Sequence, residues 1–386
     1  MKNLLFIFFA ILTFLTLEHF TVHDDGDDAA RTKSFIVKKG GLLEVSVNGG
    51  DIRVVPWDKS EVLVKAHGTD EEGFGALEMT SNENTVHITN TSSKGWSGDA
   101  RLDINVPASF RLDLKTVTGD IVIEGPLSGT FKASTSAGDI RLGDLSGSVR
   151  VNTSAGSITV DKIQGDLHLE TSGGDIVVGS VDGSADVSTS GGNIKLANVK
   201  RTLHAKTQGG DVKVGDVGVS AEVVTLGGNV VVGKVSGGVA LVTAGGDIDL
   251  AGARGVISAS TGGGNIRLSE ITGSVMASTG GGDVDAELVP TGHGNSMIVS
   301  GGGIIRLYVP DSARATIDAK IHVKSQWEYD RENYHIRSSF RSDDYQKYHE
   351  KKEIQARYIL NGGGQTIKLE TDDADIEISK LASHPR

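Results

Sequence analysis

A period of 18 residues dominates the middle of this chain and constrains its fold more than any other feature. The segment Thr-x-x-Gly-(Asp/Asn)-(Ile/Val), with Ser in place of Asp or Asn once, occurs nine times at eight equal intervals, and an earlier copy at Asp120 lies 19 residues upstream of the first. Eight equal steps indicate one structural unit stacked along an axis. The fifth position of the segment is occupied in turn by Asp139, Ser157, Asp175, Asn193, Asp211, Asn229, Asp247, Asn265 and Asp283.

Each repeat divides into two halves of nine residues that both begin with Gly, as in 147–155 and 156–164. Apolar and polar residues alternate in both halves, which is typical of a strand with one buried face. The inward positions of the first half are Val149, Val151 and Thr153, and those of the second are Ile158, Val160 and Ile163. The pattern therefore predicts two short strands per repeat.

One such unit cannot bury its apolar face alone, but stacked units pair each strand in parallel with its counterparts above and below. We therefore predict an all-β fold, a single-chain parallel β-solenoid (β-helix) with 18 residues per coil. Less regular β structure is expected to cap both ends, because an open end would leave strand edges unpaired.

The period divides the chain into five segments. Residues 1–22 read as a signal peptide or an N-terminal anchor, because Lys2 precedes an apolar run from Leu4 to Leu17 that is short for a membrane span. An acidic linker over 23–34, an N-terminal β cap over 35–110, the regular solenoid over 111–290 and a C-terminal β region over 291–386 follow. The protein is thus expected outside the cytoplasm, in the periplasm, on the outer surface or secreted.

Composition excludes several classes of function. The chain has no Cys, so disulfides, Cys zinc sites, thiol catalysis and a lipoprotein anchor are ruled out. A net charge of −12 argues against sequence-independent binding to nucleic acid. No Gly-x-Gly-x-x-Gly or Gly-Lys-Ser/Thr motif begins a helix, and there is no His-Glu-x-x-His or Gly-x-Ser-x-Gly, so no cofactor is predicted.

Equal spacing aligns like residues into columns. A Thr column shares the parity of the buried positions, so its hydroxyls are expected to point inward and bond turn backbone. A Gly column and the paired Gly residues before each Asp or Asn are expected to mark turns with positive φ. The Gly column comprises Gly129, Gly147, Gly165, Gly183, Gly237, Gly255 and Gly273. The Thr column comprises Thr116, Thr135, Thr153, Thr171, Thr189, Thr207, Thr225, Thr243, Thr261 and Thr279.

A third column alternates between Asp and Asn. Carboxylates on neighbouring coils would repel each other by about 1 kcal/mol in water, and alternation doubles their spacing. We interpret the column as a structural hydrogen-bonded ladder; the alternative is a calcium-binding β-roll, although Asp here follows Gly-Gly directly, unlike the Gly-Gly-x-Gly-x-Asp motif. The ladder comprises Asp175, Asn193, Asp211, Asn229, Asp247, Asn265 and Asp283.

All six Tyr residues lie between Tyr308 and Tyr358, where charged residues are also dense. The excursion over 326–358 could cap the last coil, or it could bind a glycan or an envelope or extracellular protein through aromatic rings. The candidate partner-binding residues are Trp327, Tyr329, Tyr334, His335, Tyr345 and Tyr348.

No catalytic or metal-binding residues are predicted. The enzymatic alternative is a carbohydrate-active β-helix of the polysaccharide lyase or glycosidase type, which needs two positioned carboxylates. Glu170, Asp186 and Asp249 face outward by parity and are the candidates for that role.

The Gly-Gly-Asp-Ile-x-Val repeats, the opening segment Leu43 to Asp58, and the closing Gly-Gly-Gly-x-x-Ile-x-Leu-x-Thr with Asp375-Ile-Glu-Ile resemble the bacterial β-strand-repeat family called "putative adhesins". The resemblance covers about residues 35 to 380. It implies an exported or envelope-attached β-solenoid and supplies no catalytic residues. We therefore predict a non-enzymatic adhesion or scaffold module, with a membrane contact only through an uncleaved N-terminal segment.

Overall fold

A computed structural model describes residues 20–23, 30–68, 71–90, 100–292, 294–331 and 333–382. The predicted leader, residues 1–22, lies outside these ranges except for its last three residues, and the acidic linker is described only at residue 23 and over 30–34. No helix within the described ranges is long and apolar enough to span a membrane.

The regular solenoid is built from parallel strands whose partners lie 18 residues apart along most of its length, as in Ile176↔Ile194 and Val212↔Val230. First-half strands stack into one sheet, called wall 1, and second-half strands into another, called wall 2. The predicted all-β solenoid is therefore confirmed. Its strands are β9 Arg111–Thr116, β10 Ile121–Ile123, β11 Leu127–Ser128, β12 Phe131–Thr135, β13 Ile140–Leu142, β14 Leu145–Ser146, β15 Val149–Thr153, β16 Ile158–Gln164, β17 Leu167–Glu170, β18 Ile176–Val181, β19 Ala185–Ser188, β20 Ile194–Val199, β21 Thr202–Lys206, β22 Val212–Val217, β23 Ser220–Val224, β24 Val230–Val235, β25 Val239–Thr243, β26 Ile248–Thr261, β27 Ile266–Thr279 and β28 Val284–Val289.

The core between the walls is largely aliphatic, because most inward positions outside the Thr column hold Val, Ile, Leu or Ala. Phe110 and Phe131 are the largest fully buried side chains, and both lie at the N-terminal end of the solenoid. β-Branched side chains suit such closely packed sheets, since they stand upright on the pleat and leave no room for aromatic rings.

The structure differs in two details from the predicted two short strands per coil. The short strands β11 and β14 form a third side, and in β26 and β27 a single strand of 14 residues turns the corner from wall 2 to wall 1. The two long strands stay paired through the corner, where Gly255 lies opposite Gly273 and both have positive φ. Glycine accepts this backbone conformation, so the chain changes walls without losing its hydrogen bonds.

The N-terminal cap does not follow chain order. The coil formed by β3 and β4 pairs with β9 and β10 on one side, and on the other with β7 and β8, which come later in the chain. Antiparallel strands β6, β5, β2 and β1 then cover the outer edges. The elements are β1 Phe20–His23, β2 Ala30–Ile36, β3 Leu42–Val47, β4 Asp51–Trp57, β5 Glu61–His67, α1 Glu71–Ala76, β6 Leu77–Asn82, β7 Thr85–Asn90 and β8 Arg101–Pro107.

The C-terminal cap repeats this arrangement. The last segment of the chain, β35 and β36, pairs with β29 and β30 on one side and with the earlier β31 and β32 on the other. Antiparallel β34 and β33 extend wall 1 beyond β31. The elements are β29 Ser296–Ser300, β30 Ile305–Val309, β31 Ala315–His322, α2 Gln326–Asp330, β32 Ile336–Ser338, β33 Asp344–Tyr348, β34 Glu353–Leu360, β35 Gln365–Asp372 and β36 Ile376–Lys380.

Candidate binding surfaces

The Thr column points inward, as predicted. Thr207 is fully buried, its hydroxyl donates to the carbonyl of Gly192 on the preceding coil at 2.9 Å, and it accepts the N–H of Gly210 at 3.3 Å. The same pair of bonds recurs along the column, for instance at Thr171 and Thr243. These hydroxyls satisfy turn backbone and are closed to solvent, so the column offers no surface to a partner.

The Asp/Asn column forms a ladder along one corner. The backbone N–H of each member donates to a side-chain oxygen of the member one coil earlier, at 2.7 Å from Asn193 to Asp175 and 2.9 Å from Asp211 to Asn193. The same bond continues through Asn229, Asp247, Asn265 and Asp283. The ladder therefore depends mainly on backbone donors, whereas amide donation between side chains is seen from Asn193 to Asp175.

The glycines before the ladder residues do not have positive φ from Gly138 onward, so that part of the prediction is wrong. In the Gly column, φ is positive at Gly129, Gly147, Gly255 and Gly273 but not at Gly165, Gly183 and Gly237. The physical reason for glycine is close approach between coils. A Cβ on Gly210 would lie 2.1 Å from the carbonyl oxygen of Gly192, and a Cβ on Gly192 would lie 2.0 Å from that of Gly174. No side chain fits between these backbones, whatever its conformation.

The acidic residues considered for catalysis are divided between the two walls. Glu170 and Asp186 lie on wall 1, on neighbouring strands, and Asp186 contacts His168 at 3.1 Å. Asp249 lies on wall 2 and faces Arg267 at 3.7 Å. Among the described residues, no three His, Asp or Glu side chains converge in a way that could hold a metal ion.

The C-terminal excursion separates the predicted aromatic residues into two kinds. Tyr329, in α2, is buried and meets the ring of His349 edge-on at 5.0 Å, so it holds the helix against the turn after β33. Trp327, two positions earlier in α2, is 59% exposed and stacks on the Arg331 guanidinium at 3.9 Å. The first residue stabilises the cap, and the second is open to a partner.

The other candidates divide in the same way. Tyr334 packs against the core, where burial and the charge of Glu328 raise the pKa of its phenol. Tyr345 and Tyr348 lie on β33, whose five residues are all exposed. His335 is exposed and donates its backbone N–H to Asp375, which extends the hydrogen-bonding pattern of the ladder into the cap.

A groove of about 990 Å³, which the sequence did not predict, lies at the corner that follows wall 2. It runs past the ends of β24, β28, β30 and β36 and past the corners of β26 and β27. A signal for it exists in the sequence, because the position that reads Asn198 and Asp216 on earlier coils becomes Lys234, Gly252 and Glu270 here. The repeat therefore changes its residue types at this corner.

Residues 42–222 match the family described as Toastrack DUF4097. No curated protein matches the chain. Among solved structures, a "putative adhesin" from Bacteroides fragilis is 12% identical, with 91% of this chain and 97% of that one covered at a TM-score of 0.22.

A "putative adhesin" from Parabacteroides distasonis is 14% identical, with 74% and 94% covered and a TM-score of 0.29. A "putative cell adhesion protein" from Clostridium sporogenes is 10% identical, with 91% and 100% covered and a TM-score of 0.19. At these TM-scores the similarities carry no argument about fold or function.

Proposed function

We propose from its geometry that this chain, whose residues 42–222 match the family described as Toastrack DUF4097, is an exported, non-catalytic binding scaffold at the bacterial cell envelope. One observation carries the proposal. In the part of the chain that the structure describes, the strongly exposed aromatic side chains are Trp327, Tyr345 and Tyr348, and all three lie on the C-terminal excursion.

Exposed aromatic rings are the side chains best suited to a binding site on such a surface. A flat ring provides a large contact area with few rotatable bonds, and it can stack on a sugar or anchor a protein interface. Trp327 and Tyr348 lie within two residues of the Tyr329–His349 contact, which joins α2 to the turn after β33. The cap thus positions both rings on a supported surface.

The solenoid supplies the scaffold. Its walls stack coils at roughly 4.8 Å each, which gives a rod on the order of 65 Å long with the excursion at one end. Every coil is joined to the next by backbone hydrogen bonds and by the Thr and Asp/Asn columns. Such a rod would hold the excursion away from the N-terminal end, where the predicted leader or anchor precedes the cap.

The test is the double variant Trp327→Ala with Tyr348→Ala, compared with Met276→Ala, which removes an equally exposed apolar side chain from wall 1. Binding of the purified protein to a glycan array and to isolated envelope fractions is measured together with the melting temperature. We expect the double variant to lose binding at an unchanged melting temperature, while Met276→Ala keeps both.

Two results would reject the proposal. Unchanged binding by the double variant would remove the excursion from the interaction. Release of reducing sugar from a bound glycan, in a parallel assay, would show that the protein is an enzyme.

A further inference from the structure

The corner groove has an apolar floor. Its apolar lining comes from successive coils and from two segments of the C-terminal cap, and it runs parallel to the solenoid axis. Because the groove passes six stacked strands, its length is roughly 24 Å at about 4.8 Å per step. The apolar residues along it are Val235, Ala253, Val289, Pro310 and Leu381.

A second hydrogen-bonded ladder ends where the groove begins. On earlier coils the N–H of Asp216 donates to Asn198, and that of Lys234 donates to Asp216. The next position is Gly252, which has no side chain, so the Lys234 ammonium reaches across it to Glu270 at 2.6 Å. The side chains that form the ladder on earlier coils are therefore absent here, and the corner is open.

The backbone is strained at the same place. Glu270 has a φ of +47°, in the left-handed region that residues other than Gly and Asn rarely adopt. Its N–H donates to the Glu287 carboxylate, and the pairing between β27 and β28 shifts register beside it. Strain of this kind concentrates at functional sites.

The groove is lined by three cations and three carboxylates, of which Glu287 accepts the backbone N–H of Glu270. Lys234 is paired with Glu270, and Lys380 is paired with Asp311 at 2.9 Å. Arg254 lines the groove, is exposed, and forms no ion pair with any residue that the structure describes. Its guanidinium keeps a fork of N–H donors available to a carboxylate.

We propose that this groove binds an extended acyl chain with an anionic head group, of the fatty-acid class. The head group pairs with Arg254, near one end of the groove, and the chain lies along the apolar floor towards Pro310 and Leu381. About four coil steps separate the two ends, roughly 19 Å, which an extended acyl chain spans. The site is distinct from the excursion and does not depend on it.

The experiment is titration calorimetry of the full chain with three probes: dodecanoate, dodecyltrimethylammonium and acetate, each below the concentration at which micelles form. Saturable binding of dodecanoate alone is expected, because only it offers both an anionic head and a chain. Absence of saturable dodecanoate binding would overturn the proposal, and so would equal binding of the cationic amphiphile.

Two matched variants test the apolar floor. Val289 and Val231 are exposed to similar extents, 37% and 40%, but only Val289 lines the groove. Val289→Asp places a charge beside the bound chain, so we expect its affinity for dodecanoate to fall at least about tenfold, equivalent to about 1.4 kcal/mol. Val231→Asp should bind like the wild type. Equal affinities of the two variants would exclude the groove.

A third variant tests the head group. Arg254→Gln removes the cation, and we expect it to weaken dodecanoate binding by about tenfold while raising the relative affinity for dodecyltrimethylammonium. A variant that retains the wild-type preference for the anion would show that Arg254 does not hold it.

Discussion

Two adjacent glycines in one turn allow a sharp test of how the coils pack. A Cβ added to Gly210 would lie 2.1 Å from the Gly192 carbonyl oxygen, whereas a Cβ added to Gly209 would lie 3.5 Å from the Gly191 carbonyl oxygen, an ordinary contact. Neither glycine has positive φ. Gly209→Ala and Gly210→Ala are therefore the same chemical change with opposite steric consequences.

The expected difference follows from the contacts around Gly210. Either alanine reduces the entropy of the unfolded chain, which stabilises the protein by about 0.4–1 kcal/mol. At Gly210 the coils must separate by about 1 Å, which stretches the bond from Thr207 to the Gly192 carbonyl and that from Asp211 to Asn193. At about 1 kcal/mol for each bond and 1–3 kcal/mol of overpacking, Gly210→Ala should be destabilised by about 3 kcal/mol.

Urea unfolding followed by far-ultraviolet circular dichroism measures the free energy of unfolding of both variants. Hydrogen exchange then locates the change. The amides of β20 and β22, the strands that follow the two contacting turns, should lose protection in Gly210→Ala alone. If the two variants unfold at the same urea concentration, the explanation of these glycines by close backbone approach is refuted.

Three further predictions concern the columns. Thr207→Val, which keeps the shape but removes two hydrogen bonds at 2.9 and 3.3 Å, should lower the free energy of unfolding by about 2 kcal/mol, while Thr207→Ser should keep both bonds; equal stabilities of the Val and wild-type proteins would contradict this. Changing Asn193, Asn229 and Asn265 together to Asp should lower the melting temperature at pH 7 by adding repulsion of about 1 kcal/mol for each neighbouring pair, and high salt should restore part of the loss; a salt-independent loss would assign the effect to the missing amides. Calcium should leave the melting temperature unchanged, because one carboxylate oxygen of Asp175, of Asp211 and of Asp247 already accepts a backbone N–H from the next coil. A large calcium-dependent rise would support the β-roll alternative.

Much of the candidate site lay beyond sequence reasoning for a physical reason. The excursion was recognised by composition, but composition does not distinguish the buried Tyr329 from the exposed Trp327, two positions away on the same short helix. That distinction depends on which ring meets His349 across the cap. The sequence did not reveal the groove, because the residues that line it are up to 146 positions apart, from Lys234 to Lys380.

The 18-residue period by itself determined the strands, their inward faces and the columns, because residues at equal spacing must stack when coils close at equal length. Only the tertiary structure shows why the turns need glycine: backbones on neighbouring coils lie too close together for a Cβ. It also decided the order of the end coils, where 365–380 enters between 296–309 and 315–338. Local periodicity carries no information on such long-range pairing, because any coil with the same inward pattern can stack on any other. The geometry of the caps determines which coils are neighbours.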